Sequence, residues 1–211
     1  MREMALTTSF EARRAISRSG AKRAGMGLLL AGLLLSSCGT GPAPDTYDLT
    51  ALTGEISAPR RNKQVLVTEP TAVKALNSDQ IVVRIGGAEI QYLAKAQWAD
   101  RLPKLVQARL VEALEGTGKL SGVGTPGQGL AIDDQIVSDI RTFEIATNGS
   151  STARVEISVK LLNDRNGTVR AQKTFSAQTP AGSGNPSFIK ALDVAFGAVT
   201  EEIVAWVLRE M

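Results

Sequence analysis

Ala153-Arg154-Val155-Glu156-Ile157-Ser158-Val159-Lys160-Leu161 alternates between apolar and polar residues without a break. Successive side chains of a β-strand point to opposite faces of its sheet. Ala153, Val155, Ile157, Val159 and Leu161 therefore share one face, and Arg154, Glu156, Ser158 and Lys160 share the other. The run Asn163-Asp164-Arg165-Asn166-Gly167 that follows is rich in turn formers and reads as a hairpin. The returning strand offers Val169, Ala171, Phe175 and Ala177 to the inner face. Upstream, residues 134–146 also read as a strand, but the apolar phase shifts between Ile136/Ile140 and Phe143/Ile145. One extra residue near Arg141-Thr142, a β-bulge, restores the phase. An unpaired edge on a strand as long as 153–162 is an aggregation hazard, so a second copy or another protein is expected to cover it.

Two amphipathic helices accompany these strands. Leu102, Val106, Leu110, Ala113 and Leu114 recur at helical spacing over 100–115. Asp100 is placed to cap that helix, Pro103 falls in its first turn, and Gly116 and Gly118 stop it. Trp98, just ahead, is placed to pack between strand and helix. The second helix covers about 186–209, with Asn185 as N-cap and Pro186 at the first position. Phe188, Leu192, Phe196, Val199, Ile203 and Val207 form its buried stripe, with Trp206 at the edge.

The first half of the chain is patchier. Residues 64–67 read as a short strand, and 80–85 and 88–93 as a pair joined at Gly86-Gly87. Residues 120–123 suit another short strand, and 53–63 read as a polar loop with basic residues Arg60, Arg61 and Lys63. The sum is an α/β protein of the α+β type. It has one domain, a mixed, largely antiparallel sheet with two amphipathic helices packed on one face.

Ahead of the domain stands a different kind of sequence. Arg13, Arg14, Arg18, Lys22 and Arg23 precede an apolar run from Gly25 to Leu35, then Ser36-Ser37-Cys38. Charged segment, apolar segment and small residues in that order are the secretory pattern. The run falls short of the roughly 20 residues a membrane-spanning helix needs. Leu35-Ser36-Ser37-Cys38 resembles the lipobox of bacterial lipoproteins. The resemblance implies cleavage after Ser37 and lipid on the sulfur of Cys38, the only cysteine. Residues 1–37 are then a signal peptide, 38–46 a flexible Gly/Pro tether and 47–211 the folded domain. Gly39 rather than Asp after the cysteine points to the outer membrane.

Six of the 24 Lys and Arg and two of the 21 Asp and Glu lie in residues 1–37, leaving 18 against 19, a mature charge near −1. The basic balance belongs to the leader and gives no footing for nucleic acid. With histidine absent, the commonest general base and metal ligand is missing. No metal or cofactor is expected beyond the covalent lipid. Gly122-Val123-Gly124-Thr125-Pro126-Gly127 has the letters of a dinucleotide loop, but Gln128-Gly129 and a strand follow where a helix must open. Asp133-Asp134 reads as a solvated strand start, and the Asn148-Gly149-Ser150 and Asn166-Gly167-Thr168 sequons as turns.

The order of several short motifs carries a family resemblance. They are the lipobox, Tyr47-Asp48-Leu49, and Tyr92 leading to Gln97-Trp98-Ala99-Asp100-Arg101-Leu102-Pro103. Ile140-Arg141-Thr142-Phe143-Glu144 and the terminal Glu202-Ile203-Val204-Ala205-Trp206-Val207 complete the set. In these the chain resembles the ABC-type transport auxiliary lipoproteins, the PqiC-like family. Gln97 stands where the family pattern has a basic residue. The resemblance implies a non-enzymatic component of an MCE-type lipid transport system. Its partners are an MCE-type periplasmic protein with an inner-membrane permease and ATPase, and a homo-oligomer is possible in such a system. The alternative is a cell-envelope scaffold or activator serving peptidoglycan synthesis or outer-membrane assembly; a hydrolase built on Asp133, Asp134 or a serine is remote.

Overall fold

The computed structural model describes residues 43–52 and 56–211. Cys38 and residues 1–37, read from the sequence as a signal peptide, lie outside the described residues. Among the described residues nine strands form one mixed sheet. They are β1 (Asp45–Tyr47), β2 (Gln64–Val67), β3 (Thr71–Ala72), β4 (Gln80–Gly86), β5 (Glu89–Trp98), β6 (Gly122–Gly124), β7 (Asp134–Ala146), β8 (Thr152–Asn163) and β9 (Val169–Pro180). Helix α1 (Leu102–Gly116) separates β5 from β6, and α2 (Asn185–Glu210) follows β9.

β7 is the organiser. One of its edges pairs antiparallel with β8 along its length. The other edge takes three short parallel strands in succession: β2 opposite Asp134–Ile136, β3 opposite Asp139–Ile140 and β4 opposite Glu144–Ala146. β9 pairs antiparallel with β8, β5 with β4, while β6 and β1 add parallel to β2 and β5. The sheet is mixed and largely antiparallel, as the sequence pattern predicts.

The predicted bulge is present: the β7–β8 register slips between Ile140 and Thr142. Arg141 is the extra residue, and it lets Ile136, Ile140, Phe143 and Ile145 all stay buried. The alternating apolar residues of β8, Ala153, Val155, Ile157, Val159 and Leu161, are at most 1 % exposed. Helix α2 packs over β8 and β9 and touches β7; α1 lies on β2 and β6 and against α2. Trp98 meets Phe143 edge-on at 5.8 Å between ring centroids, Phe143 lies 5.8 Å from Phe196, and Phe175 lies 5.6 Å from Trp206. One set of rings ties β5 and β7 to α2 and the other ties β9 to α2, with Trp98–Phe143 and Phe175–Trp206 in the edge-on arrangement that aromatic quadrupoles favour.

Several expectations are corrected. β8 is an interior strand, and the long open edge belongs to β9, where Arg170, Lys173 and Pro180 discourage indiscriminate pairing. A register shift between Leu161 and Leu162 turns Val169 out of phase, leaving it 51 % exposed. Asp45 and Thr46, read as tether, form β1 with Tyr47, paired to Ala96, Gln97 and Trp98. Arg101, not Asp100, holds the N-cap position of α1, with no side-chain cap. Gly184 holds that of α2 at φ 81°, a conformation glycine adopts without strain. Asn185 instead donates its Nδ2 to the Ala94 carbonyl at 3.0 Å. The β4–β5 turn is Gly87-Ala88, one residue later than Gly86-Gly87, because Gly86 pairs with Glu89.

Candidate functional site

The segment after β1 is tied to both helices. Leu49 is 2 % exposed and belongs to the core. The Asp48 carboxylate meets Arg109 Nη2 of α1 at 2.6 Å. The Thr50 backbone N–H and hydroxyl both donate to Asp193 of α2, at 2.8 and 2.6 Å. Burial works against charge on Arg109, but Glu112 and Asp48 outweigh it and raise its pKa. Tyr47-Asp48-Leu49 therefore mounts the domain on the chain that leads back to Cys38.

The residues weighed for chemistry are structural. Asp134 is fully buried, not solvated: its Oδ2 accepts from Lys63 Nζ at 2.5 Å, and Arg170 Nε lies 2.6 Å from Oδ1. Asp133 accepts from the Gln64 backbone N–H at 3.0 Å. The basic loop is likewise engaged with the domain. Arg61 Nε donates to the Leu208 carbonyl at the end of α2, where cations suit the helix dipole, and Arg60 Nε donates to the Gly118 carbonyl. The glycine-rich segment runs from β6 into a turn with the Gln128 N–H on the Thr125 carbonyl, and no helix opens there. Asn166 Oδ1 accepts from Thr168, as a turn residue does. The Asp100 carboxyl is held below the usual range first by the Arg101 backbone N–H, with Lys104 adding to it. The described residues hold no group of three or more metal-type ligands.

What remains open is the sheet face away from α2. Alternate residues of β7, β8 and β9 line it: Glu144, Arg154 and Gln178; Thr142, Glu156 and Ser176; Asp139, Ser158 and Thr174. Glu144 is 5 % exposed and its carboxylate meets Arg84 Nε at 2.7 Å, which raises the arginine's pKa. Shallow clefts of about 250 Å³ lie along this face, open to solvent and polar. Enclosed small-molecule pockets are mostly apolar and bury their ligand. The clefts on this face are open and polar instead.

A model of the ABC-type transport auxiliary lipoprotein component matches residues 47–204, which is nearly the whole described domain. The chain belongs to this family. A Bradyrhizobium diazoefficiens protein without assigned function is 32 % identical over 182 residues, 84 % of this chain and 49 % of that protein. The chain thus spans about half the length of the curated relative it matches. A Xanthomonas campestris protein of the DUF330 family has a solved structure that superposes with TM-score 0.73 and 28 % identity, covering 79 % of this chain and 96 % of the other. A hypothetical protein of Chlamydia trachomatis superposes at TM-score 0.50 and 11 % identity over 70 % of this chain and 96 % of its own, a likeness of fold alone. The ABC-transport auxiliary lipoprotein family is an envelope family, and the sequence motifs that pointed to it, Tyr47-Asp48-Leu49 and the Trp98 segment among them, are fold-bearing in the structure.

Proposed function

We propose that this auxiliary lipoprotein is a non-enzymatic part of an MCE-type ABC lipid transport system. Lipid on Cys38 holds it at the periplasmic face of the outer membrane, where it docks or receives the periplasm-spanning MCE assembly. The observation that carries the reading is the family match across residues 47–204, the segment that folds into the sheet and both helices. The use of Asp133, Asp134, Lys63 and Arg61 in internal contacts supports a binding role, since the carboxylates weighed for acid–base work are committed to structure. The open polar face and the free β9 edge are surfaces for such contacts. ATP hydrolysis then belongs to the partner ATPase.

The test is crosslinking in cells followed by co-purification of the lipidated protein, with light scattering on the purified protein. Capture of an MCE protein with its permease and ATPase is the expected result. A monomer that captures none of them, or captures a peptidoglycan synthase, would move the assignment to the envelope-scaffold alternative.

A further inference from the structure

The β4–β5 hairpin carries a concentration of apolar surface that the fold does not use. Ile85, Ile90 and Tyr92 are 38, 36 and 44 % exposed, within eight residues of one another across the Gly87-Ala88 turn. Ile90 and Tyr92 lie opposite Arg84 and Val82 and share their face; Ile85 points to the other face. Each side of the tip thus shows apolar surface, Ile90 and Tyr92 beside Arg84 on one and Ile85 with Glu89 and Gln91 on the other. Among the described residues, β5 pairs on its outer side only through Ala96–Trp98, so Glu89 to Lys95 form a free edge. Lys95 is exposed and takes φ 57° in an irregular stretch, where three residues of β4 from Gln80 to Val82 face six of β5 from Tyr92 to Gln97.

The direction of the chain says what meets this tip. β1 runs parallel to β5, with Asp45 beside Ala96, so the upstream end of β1 is directed toward the Gly87-Ala88 turn. Pro44, the residue before β1, is exposed. Seven residue steps separate Asp45 from Cys38, a reach of at most ~25 Å. Ile90 lies six residues before Ala96 on β5, at most ~20 Å away. The chain toward Cys38 thus leaves β1 in the direction of the hairpin tip, and its contour length is enough for a lipid on Cys38 and Ile85, Ile90 and Tyr92 to meet one membrane.

We propose that the β4–β5 hairpin tip rests in the phospholipid interface beside the anchor, which rests on the reading of Cys38 as lipid-bearing. Tyrosine suits that depth, with its ring in the apolar boundary and its hydroxyl toward the headgroups. Lys95 extends its ammonium to anionic headgroups while its stem stays low. A headgroup-level interface accepts a hairpin that shows apolar side chains on both faces among polar ones, whereas a flat protein surface covers only one face.

The experiment uses the full lipoprotein purified from membranes with Ile90→Cys, labelled at that thiol with a polarity-sensitive fluorophore. It is reconstituted in phosphatidylethanolamine–phosphatidylglycerol vesicles with and without lipids spin-labelled near the headgroup. Ile85→Cys is a second site should Ile90→Cys fold poorly, and Gln172→Cys on the polar face is the control. The expected result is flotation with the vesicles, a blue shift, and loss of emission to the spin-labelled lipid at 90 and 85 but not at 172. Flotation with an unquenched, water-like label at 90 and 85 overturns the hairpin contact and leaves the anchor standing. A blue shift without quenching by lipid assigns the tip to a protein partner and also overturns it. Protein that fails to float, with Cys38 unmodified by mass spectrometry, removes the anchor and the inference together.

Discussion

Asp134 shows how a single side chain can be misread from its neighbours. Beside Asp133 and after a loop, it has the look of a solvated strand start. The parallel pairing of β2 with β7 brings Lys63 over it, and the β8–β9 hairpin returns Arg170 to its other oxygen. A fully buried carboxylate is tolerable only when paired. Removing one member of a buried pair typically costs about 3–5 kcal/mol. Here both cations keep contact with water, Lys63 at 23 % and Arg170 at 38 % exposure, so the cost is smaller. Asp134→Asn is expected to lower unfolding free energy by about 2–3 kcal/mol. Lys63→Met should cost less than that, because Arg170 still neutralises the carboxylate. Urea unfolding of the three proteins checks the order; an Asp134→Asn protein as stable as the parent would show that the pair contributes nothing net.

Elements with a strong internal period were legible, and elements held by distant pairing were not. The alternation in β8, the phase slip in β7 and the apolar stripe of α2 each express a local rule, and all three stand in the structure. β1 and β3 are three and two residues long, too short to show a period. They exist because β5 and β7 offer them an edge. The ties of Asp48 to Arg109 and of Thr50 to Asp193 cross 61 and 143 residues of sequence, and nothing local announces them. Trp98 was legible as a packing residue ahead of the first helix; it is 2 % exposed, and the ring contact it makes is edge-on with Phe143 of strand β7. Trp98→Ala is expected to cost about 3–5 kcal/mol and to lower the thermal midpoint. Trp206→Ala should cost a similar amount, since it packs on Phe175 at the far side of the core. Calorimetry on both variants measures this. Either variant retaining the parent midpoint would mean that its ring is not part of the core that joins sheet to helix.

At the scale of the whole molecule the question is what holds the domain at a membrane. No helix among the described residues is long and apolar enough to cross one. The charge beyond residue 37 is near −1, with 18 cations against 19 anions, so electrostatic attraction to anionic lipid is weak. The cationic loop that could have helped is drawn inward by Asp134 and Leu208. Lasting attachment then falls to the lipid expected on Cys38, and the hairpin tip acts only beside it. Residue 38 lies well ahead of Leu49, the first fully buried apolar side chain among the described residues, so its loss should leave the core intact. Cys38→Ser is accordingly expected to appear as a soluble or unprocessed species, with the thermal midpoint of the domain unchanged. Fractionation on a density gradient, with mass spectrometry of the N-terminal peptide and a thermal melt, measures both halves of that statement. Parent protein in the outer-membrane fraction and Cys38→Ser outside it is the expected pair. Cys38→Ser protein that stays processed and membrane-bound at the parent's level would transfer the anchoring role to the domain surface, and the hairpin at Ile85, Ile90 and Tyr92 would be the first place to mutate.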